Sequence, residues 1–436
     1  MRAIKRIIRS LTPSFLISLY HISLAYLGAL WNGFPSHDMV VIGVTGTRGK
    51  TTAGNLIWSA LTASGYVAGL TGTANIRIGS QERMNPFHMT MPGRFKLQKI
   101  LREMRDAGCQ FAIIESPSEG IEQWRHKGVA YDALLLTTLY PEYIAAHRWS
   151  YERCKDMHVR LFSELYSRKV KYLNGKKVPK IIVVNGDLPE KKRFLSQKAD
   201  IKVTFGFNPG SDFRAENITV SENSTAFQVG EQTYALKLKG EFNVLNALAA
   251  ISLLETLEIK QKAIQKGLLL PGVPGRMEEI SSDRPFRVFV DYAHDAVSLK
   301  AALEAARSYC RKNKLIVLTG GQGGGRDRKK LPIMGKHAAQ MADFVIVANE
   351  DPYSDDPIEI MEAVAQGAET AGKTRGENLF FIEDRREGIR KALSLAMPGD
   401  VVLIAGKGAE QSMETSAGQV PWDDRKVVRE ELAGIG

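Results

Sequence analysis

The chain has 436 residues, 44% of them hydrophobic and 25% charged, and its 59 Lys and Arg against 48 Asp and Glu give a formal net charge of +11. That length exceeds what one core organises, so at least two domains are expected, and the balance excludes collagenous, disordered and disulfide-scaffold chains. Cys109, Cys154 and Cys310 stand far apart with no CxxC pair, which suits a reducing compartment, and the scattered basic residues suit anionic small molecules without marking a nucleic-acid strip.

In chain order, Arg2, Lys5, Arg6 and Arg9 precede an apolar stretch over residues 11–34. Pro13, Ser14, Ser18, His21, Ser23 and Asn32 interrupt it, which argues against a bilayer-spanning helix. Two readings stay open: a helix lying on a membrane surface, where Phe15, Leu19, Tyr20, Tyr26 and Trp31 would suit the interface, or a helix packed on the body of the protein. A secretory signal is rejected because a phosphate-binding loop follows a few residues later, so a cytoplasmic location is expected.

Strands are predicted at residues 40–44, 111–114, 133–137 and 181–184, with helical spacing at 53–65 and 94–107 between the first of them. Such β-α-β units specify a parallel sheet. A Pro- and Gly-punctuated linker at 271–275 provides a hinge at 271–274, and a second alternating set follows at 286–290, 315–318, 344–347, 379–382 and 401–404. The fold class is therefore α/β: a P-loop central domain (39–272) with a parallel sheet and a C-terminal Rossmann-like α/β domain (273–436), after an N-terminal segment (1–38).

The turn after the first strand reads GVTGTRGKTT over residues 43–52. A strand, a glycine-rich turn and Lys-Thr opening a helix form an anion cradle from free backbone N–H groups and the helix dipole. Gly46, Thr47, Arg48, Gly49, Lys50, Thr51 and Thr52 are thus the candidate ATP loop, in a GTxGKT form shorter than GxxxxGK[ST]. Lys50 supplies charge to the phosphates and Thr51 a hydroxyl for Mg2+. Glu115, a carboxylate ending a strand, belongs in the ligand crevice of such a sheet.

This loop resembles that of the Mur ligases and, more distantly, the folylpolyglutamate synthases. KGEFNVLNALAA (239–250), VPGRMEEI (273–280), VDYAHD (290–295), GGGRDRKKLPIMGK (323–336), EDPYSDDP (350–357) and AGKGAE (405–410) follow in the Mur ligase order, closest to the UDP-N-acetylmuramyl-tripeptide synthetase branch. Residues 1–38 do not resemble that branch's uridine-binding domain. The resemblance implies an ATP- and Mg2+-dependent ligase that joins an amino acid to a muramyl-peptide precursor through an acyl phosphate, acting as a monomer on small molecules. A poly-γ-glutamate or folylpolyglutamate ligase and a non-catalytic nucleotide-binding homologue are the alternatives.

Residue by residue, the resemblance makes Glu115 a Mg2+ ligand, places Asn243 and Asn246 at adenine, and brings Arg276 and Asp291 to phosphate and ribose. Thr90, Met91 and Pro92, with Ser118, would meet the precursor. The family's metal-binding histidine is Tyr143 here, and its carbamylated lysine is His158. We expect His158, with His147, to do part of that lysine's catalytic and metal-binding work, since a neutral imidazole binds metal directly. Arg326 resembles the group holding the amino acid's α-carboxylate, and Gly406 and Glu410 lie in the acceptor segment. Tyr353 replaces the arginine that grips the distal carboxylate of diaminopimelate. With Glu350 and Asp351 beside it, a distal ammonium is favoured, hence L-lysine or another diamine.

Overall fold

The computed structural model describes residues 13–434 apart from 142, 143, 168, 222, 223, 239, 271 and 311. Arg2, Lys5, Arg6, Arg9, Tyr143 and the first hinge residue, Pro271, therefore lie outside the described residues.

Unbroken Val, Ile and Leu runs make strands that must be covered on both faces. Strand β1 (Val40–Thr45) is one, and it pairs in parallel with Phe111–Glu115 on one side and Ala133–Leu136 on the other. These centre a nine-stranded sheet ordered Phe213–Arg214, Ile201–Gly206, Ile181–Asn185, Ala133–Leu136, β1, Phe111–Glu115, Ala68–Thr71, Asn75–Ile78, Gln81–Met84. The last two strands run antiparallel to their neighbours. Leu56, Ile57 and Leu61 of helix α2 (Lys50–Ala63) join Leu248 and Ile251 in the core on one face of the sheet. Leu97, Leu101 and Met104 of helix α3 (Arg94–Asp106) fill the other with Phe162.

The second sheet runs Glu278–Ile280, Arg287–Asp291, Val401–Ala405, Leu315–Thr319, Phe344–Val347, Leu379–Phe381, parallel except at its first strand. It too carries a core on each face. The α/β class and its two parallel sheets agree with expectation. Between the two in chain order, a small antiparallel sheet, Glu216–Val220, Thr225–Val229 and Gln232–Leu236, packs Phe227 and Tyr234 into the first core and was not expected from the sequence.

Helix α2 begins at Lys50, three residues before its apolar periodicity, because its first turn carries the polar residues of the loop. In the linker, Val273 is fully buried in the first core and bridges to Arg276, so the proline-rich stretch is fastened at this point. Helix α1 (Ser14–Trp31) lies against the start of α3: a Cβ on Gly28 would stand 3.4 Å from the Phe95 Cα. Among the described residues no helix is long and apolar enough to cross a membrane.

Candidate active site

β1 is flanked by strands on both sides, so its C-terminal end opens into the crevice where sheets of this kind bind ligands. The chain leaves it through Gly46 (φ 129°) and enters α2 at Gly49 (φ 83°). Both must be glycine for space as well as conformation. A Cβ would meet Thr137 Oγ1 at 2.3 Å from position 46 and Asn246 Oδ1 at 2.2 Å from position 49. No side chain caps α2, which leaves its first N–H groups for an anion. Lys50 Nζ donates to the carbonyls of Gly46 (2.7 Å) and Thr47 (3.0 Å), folding over the loop.

Glu115 is fully buried at the neighbouring strand end. Its carboxylate accepts from Thr73 N (3.1 Å), Thr73 Oγ1 (2.9 Å) and Thr51 Oγ1 (3.0 Å). Burial pushes its carboxyl upward, and Lys50 and Arg276 pull it back toward ionisation. Arg276 arrives from the linker side, donating from Nη2 to Thr51 Oγ1 (3.3 Å) with its guanidinium 4.3 Å from the centre of the Tyr292 ring. Asp291 ends its strand with both oxygens engaged, by Met277 N (2.7 Å) and Ala293 N (2.9 Å).

Apart from Glu115, which lies buried behind Thr51 and Thr73, these groups line a cavity of about 510 Å³ between the two sheets. Lining it are the whole loop 46–52, Asn243, Asn246, Arg276 and Asp291; Thr90, Met91 and Ser118 lie along another wall with Arg326, Tyr353 and Glu410. Asn246 Nδ2 donates to Asn243 Oδ1 (3.2 Å). Arg326 reaches Glu119 (3.3 Å), an ion pair across the cavity.

Several expected residues are not brought to this cavity. Pro92 is buried behind its wall. His158 is turned away: Thr45 Oγ1 donates to the Ser116 carbonyl (2.5 Å), so it accepts from His158 Nδ1–H (2.8 Å), and the other ring nitrogen faces Cys154 Sγ at 3.9 Å. Burial and nearby Lys50 hold this imidazole down to about 3, hence neutral. The structure therefore does not bring His158 to the cavity where a direct metal contact was expected, and its second ring nitrogen faces a thiol inside the fold. His147 is also fully buried and reaches the cavity only through Ser118, whose Oγ lies 2.8 Å from its Nε2.

The acidic pair proposed to meet a distal ammonium is corrected as well. Glu350 is fully buried behind Gly406, where a Cβ would fall 2.5 Å from its Oε2. Asp351 is already paired, its Oδ2 2.7 Å from Lys407 Nζ. That ammonium also lies 2.6 Å from Glu410 Oε2, and Lys407 draws the Glu410 carboxyl below its usual range although burial opposes it. Of the three acids only Glu410 faces the cavity.

Sequence reasoning missed His88, Tyr292, Asp295 and Lys330, all of which line the cavity. His88 comes from the loop before Thr90 and reaches the second sheet, with Tyr353 Oη 3.4 Å from Nε2 and Ser412 Oγ 3.3 Å from Nδ1. His88, Asp351 and Glu410 bring ligand atoms within 4.8 Å of one another, but Lys407 already supplies the cation between the two carboxylates. Asp295 receives Arg48 Nη2 at 2.5 Å. Position within quoted segments was the only signal: Asp295 closes VDYAHD and Lys330 lies in GGGRDRKK.

Residues 44–254 match the Mur ligase middle domain and residues 275–408 the Mur ligase glutamate ligase domain. The chain is 35% identical, over 97% of its length and 84% of the relative's, to a UDP-N-acetylmuramyl-tripeptide synthetase of Roseiflexus sp. (strain RS-1). The chain is a Mur ligase. As such it is an ATP-dependent, ADP-forming amide ligase, and its place is with the enzymes of peptidoglycan synthesis. A UDP-N-acetylmuramoyl-L-alanyl-D-glutamate--2,6-diaminopimelate ligase of Geobacillus thermodenitrificans (strain NG80-2) is 34% identical over 93% of this chain and 81% of its own. A solved ligase of that same description superposes with a TM-score of 0.59 at 28% identity, covering 91% of this Mur ligase and 79% of that chain. Mycobacterium tuberculosis folylpolyglutamate synthase, solved with ADP and AMPPCP, shares the fold at a TM-score of 0.69 and 16% identity, covering 88% of this chain and 92% of its own.

Proposed function

We propose that this Mur ligase joins an amino acid, L-lysine or another diamine, to the terminal carboxylate of a muramyl-peptide precursor. The observation that carries it is one cavity lined at once by the phosphate loop, by Thr90 and Ser118, and by Arg326 and Glu410. The precursor carboxylate attacks the γ-phosphorus of ATP and ADP leaves. The incoming amine then attacks the acyl phosphate, loses a proton and expels phosphate.

Thr51 and Glu115 would hold Mg2+. Their oxygens stand 3.0 Å apart, and adjacent oxygen ligands in an octahedron of Mg2+ are about 2.9 Å apart, so the pair fits a shared ion. The ion would neutralise phosphate charge during transfer. Lys50 and Arg276 add fixed positive charge where it builds up, Asn243 and Asn246 meet adenine, and Asp291 faces ribose. His147 orients Ser118 beside the precursor.

At the acceptor end Arg326 takes the α-carboxylate and Glu410 an ammonium. Tyr353 offers no guanidinium for a second carboxylate, which favours a diamine over diaminopimelate. Ligation assays with lysine, ornithine and meso-diaminopimelate test this: faster amide formation with lysine or ornithine is expected. A preference for diaminopimelate would overturn the choice of amine, and no ATP turnover with any precursor would overturn the function itself.

A further inference from the structure

Helix α1 contains no Asp, Glu, Lys or Arg, yet half of its circumference is exposed. At roughly 100° per residue its outward positions fill one continuous arc of about 160°. Of the nine exposed positions from Phe15 onward, Ser23 alone lacks a large apolar side chain. Leu19 is 58% exposed, Leu27 52%, Leu30 63% and Trp31 80%. On the opposite arc Ala25, Gly28 and Ala29 are buried, with Ile17, His21, Ile22 and Leu24 half-buried beside them. Its small residues thus sit against the body, and every exposed position except Ser23 carries a large side chain.

An apolar arc this wide on a soluble surface marks a docking site. Its surroundings choose the occupant. On α3, against which the helix packs, Lys96, Lys99 and Arg102 are exposed, with Asp106 in reach of Arg102 at 3.9 Å, and Phe95 extends the apolar surface. Arg2, Lys5, Arg6 and Arg9 lead into the helix, and the chain carries a net charge of +11. Two copies meeting through this face would bring like charges together, whereas anionic headgroups would be attracted to them. Large aromatic and aliphatic side chains on a helix without an acid, with Lys and Arg exposed on the helix it packs against and basic residues preceding it in the chain, suit the interface of a bilayer.

We propose that α1 docks this protein on an anionic lipid surface, lying in the interface plane without crossing it. Since α3 begins two residues beyond Pro92, docking would hold the Thr90–Met91 wall of the cavity close to the bilayer.

Vesicle flotation of the full chain tests this without reference to ligation. Vesicles of phosphatidylcholine with one quarter phosphatidylglycerol are expected to carry the protein, and phosphatidylcholine alone at least tenfold less. The double variant Leu19→Glu/Leu27→Glu is expected to lose flotation while keeping its melting temperature, since both side chains point outward. Lys96→Glu/Lys99→Glu is expected to weaken it by about tenfold or more. Equal flotation of Leu19→Glu/Leu27→Glu and the parent would overturn the proposal. So would absence of flotation together with a dimer, seen by light scattering, that the leucine variant dissolves, because the face would then belong to a second copy.

Discussion

Glu350 is a carboxyl with no favourable place for a charge. Both oxygens are buried without a hydrogen-bond partner among the described residues, and burial pushes the group up to about 7 although Arg385 pulls the other way. Unfolded, it titrates near its ordinary 4.5. Between those values the unfolded chain has released a proton the folded chain keeps, so stability is fully present below about 4.5 and declines as pH rises to about 7. One pKa unit is worth ~1.4 kcal/mol, so the loss is a few kcal/mol. Glu350→Gln keeps the shape and removes the titration. Measured by thermal melting, its stability relative to the parent is expected to be higher at pH 8 than at pH 5; an equal difference at both would refute the assignment. Single side chains were also where sequence misled most. His158 stands where the resemblance wants a metal-binding group, but which way an imidazole points depends on Thr45 and Cys154, which lie far from it or on another turn.

At the scale of elements, the strands and the phosphate loop were legible because their signals are local: unbroken apolar runs, then glycines where φ is positive. The three-stranded sheet at 216–236 was not, since its strands are half exposed and mixed in polarity, with Glu216–Val220 largely in solvent. Element positions also depend on a buried charge cluster that no periodicity reveals. Asp132, just before the strand Ala133–Leu136, accepts from Val41 N (2.9 Å), Lys171 Nζ (2.5 Å) and Lys180 Nζ (2.9 Å), tying three segments together. All three side chains are almost fully buried, so Asp132→Asn would leave two ammonium groups without their counter-ion. A destabilisation of about 3–5 kcal/mol is expected in urea unfolding. A change under 1 kcal/mol would show that the backbone carbonyls around the lysines suffice.

For the whole molecule, the contacts that join the phosphate-loop side to the second sheet include Arg48 with Asp295, Arg276 with Thr51, Arg326 with Glu119 and His88 with Tyr353 and Ser412. They enclose the cavity, and a closed cavity protects an acyl phosphate from water. Arg48 and Asp295 are about a quarter exposed, so their pair adds only ~0–1 kcal/mol to folding. Asp295→Ala is therefore expected to melt near the parent temperature while raising the KM for ATP and the phosphate released per amide formed, each several-fold. Unchanged coupling would mean that closure does not need this pair. Sequence by itself determined the α/β class, the loop at 46–52, the family and Glu115 beside the loop, because each rests on residues close in the chain or on an ordered set of motifs. Tertiary structure alone decided which candidates share a cavity: it placed Glu410 there, left Glu350 and His158 in the interior, and recruited His88 and Asp295 from opposite sides. Facing is a property of packing, and packing joins residues hundreds of positions apart.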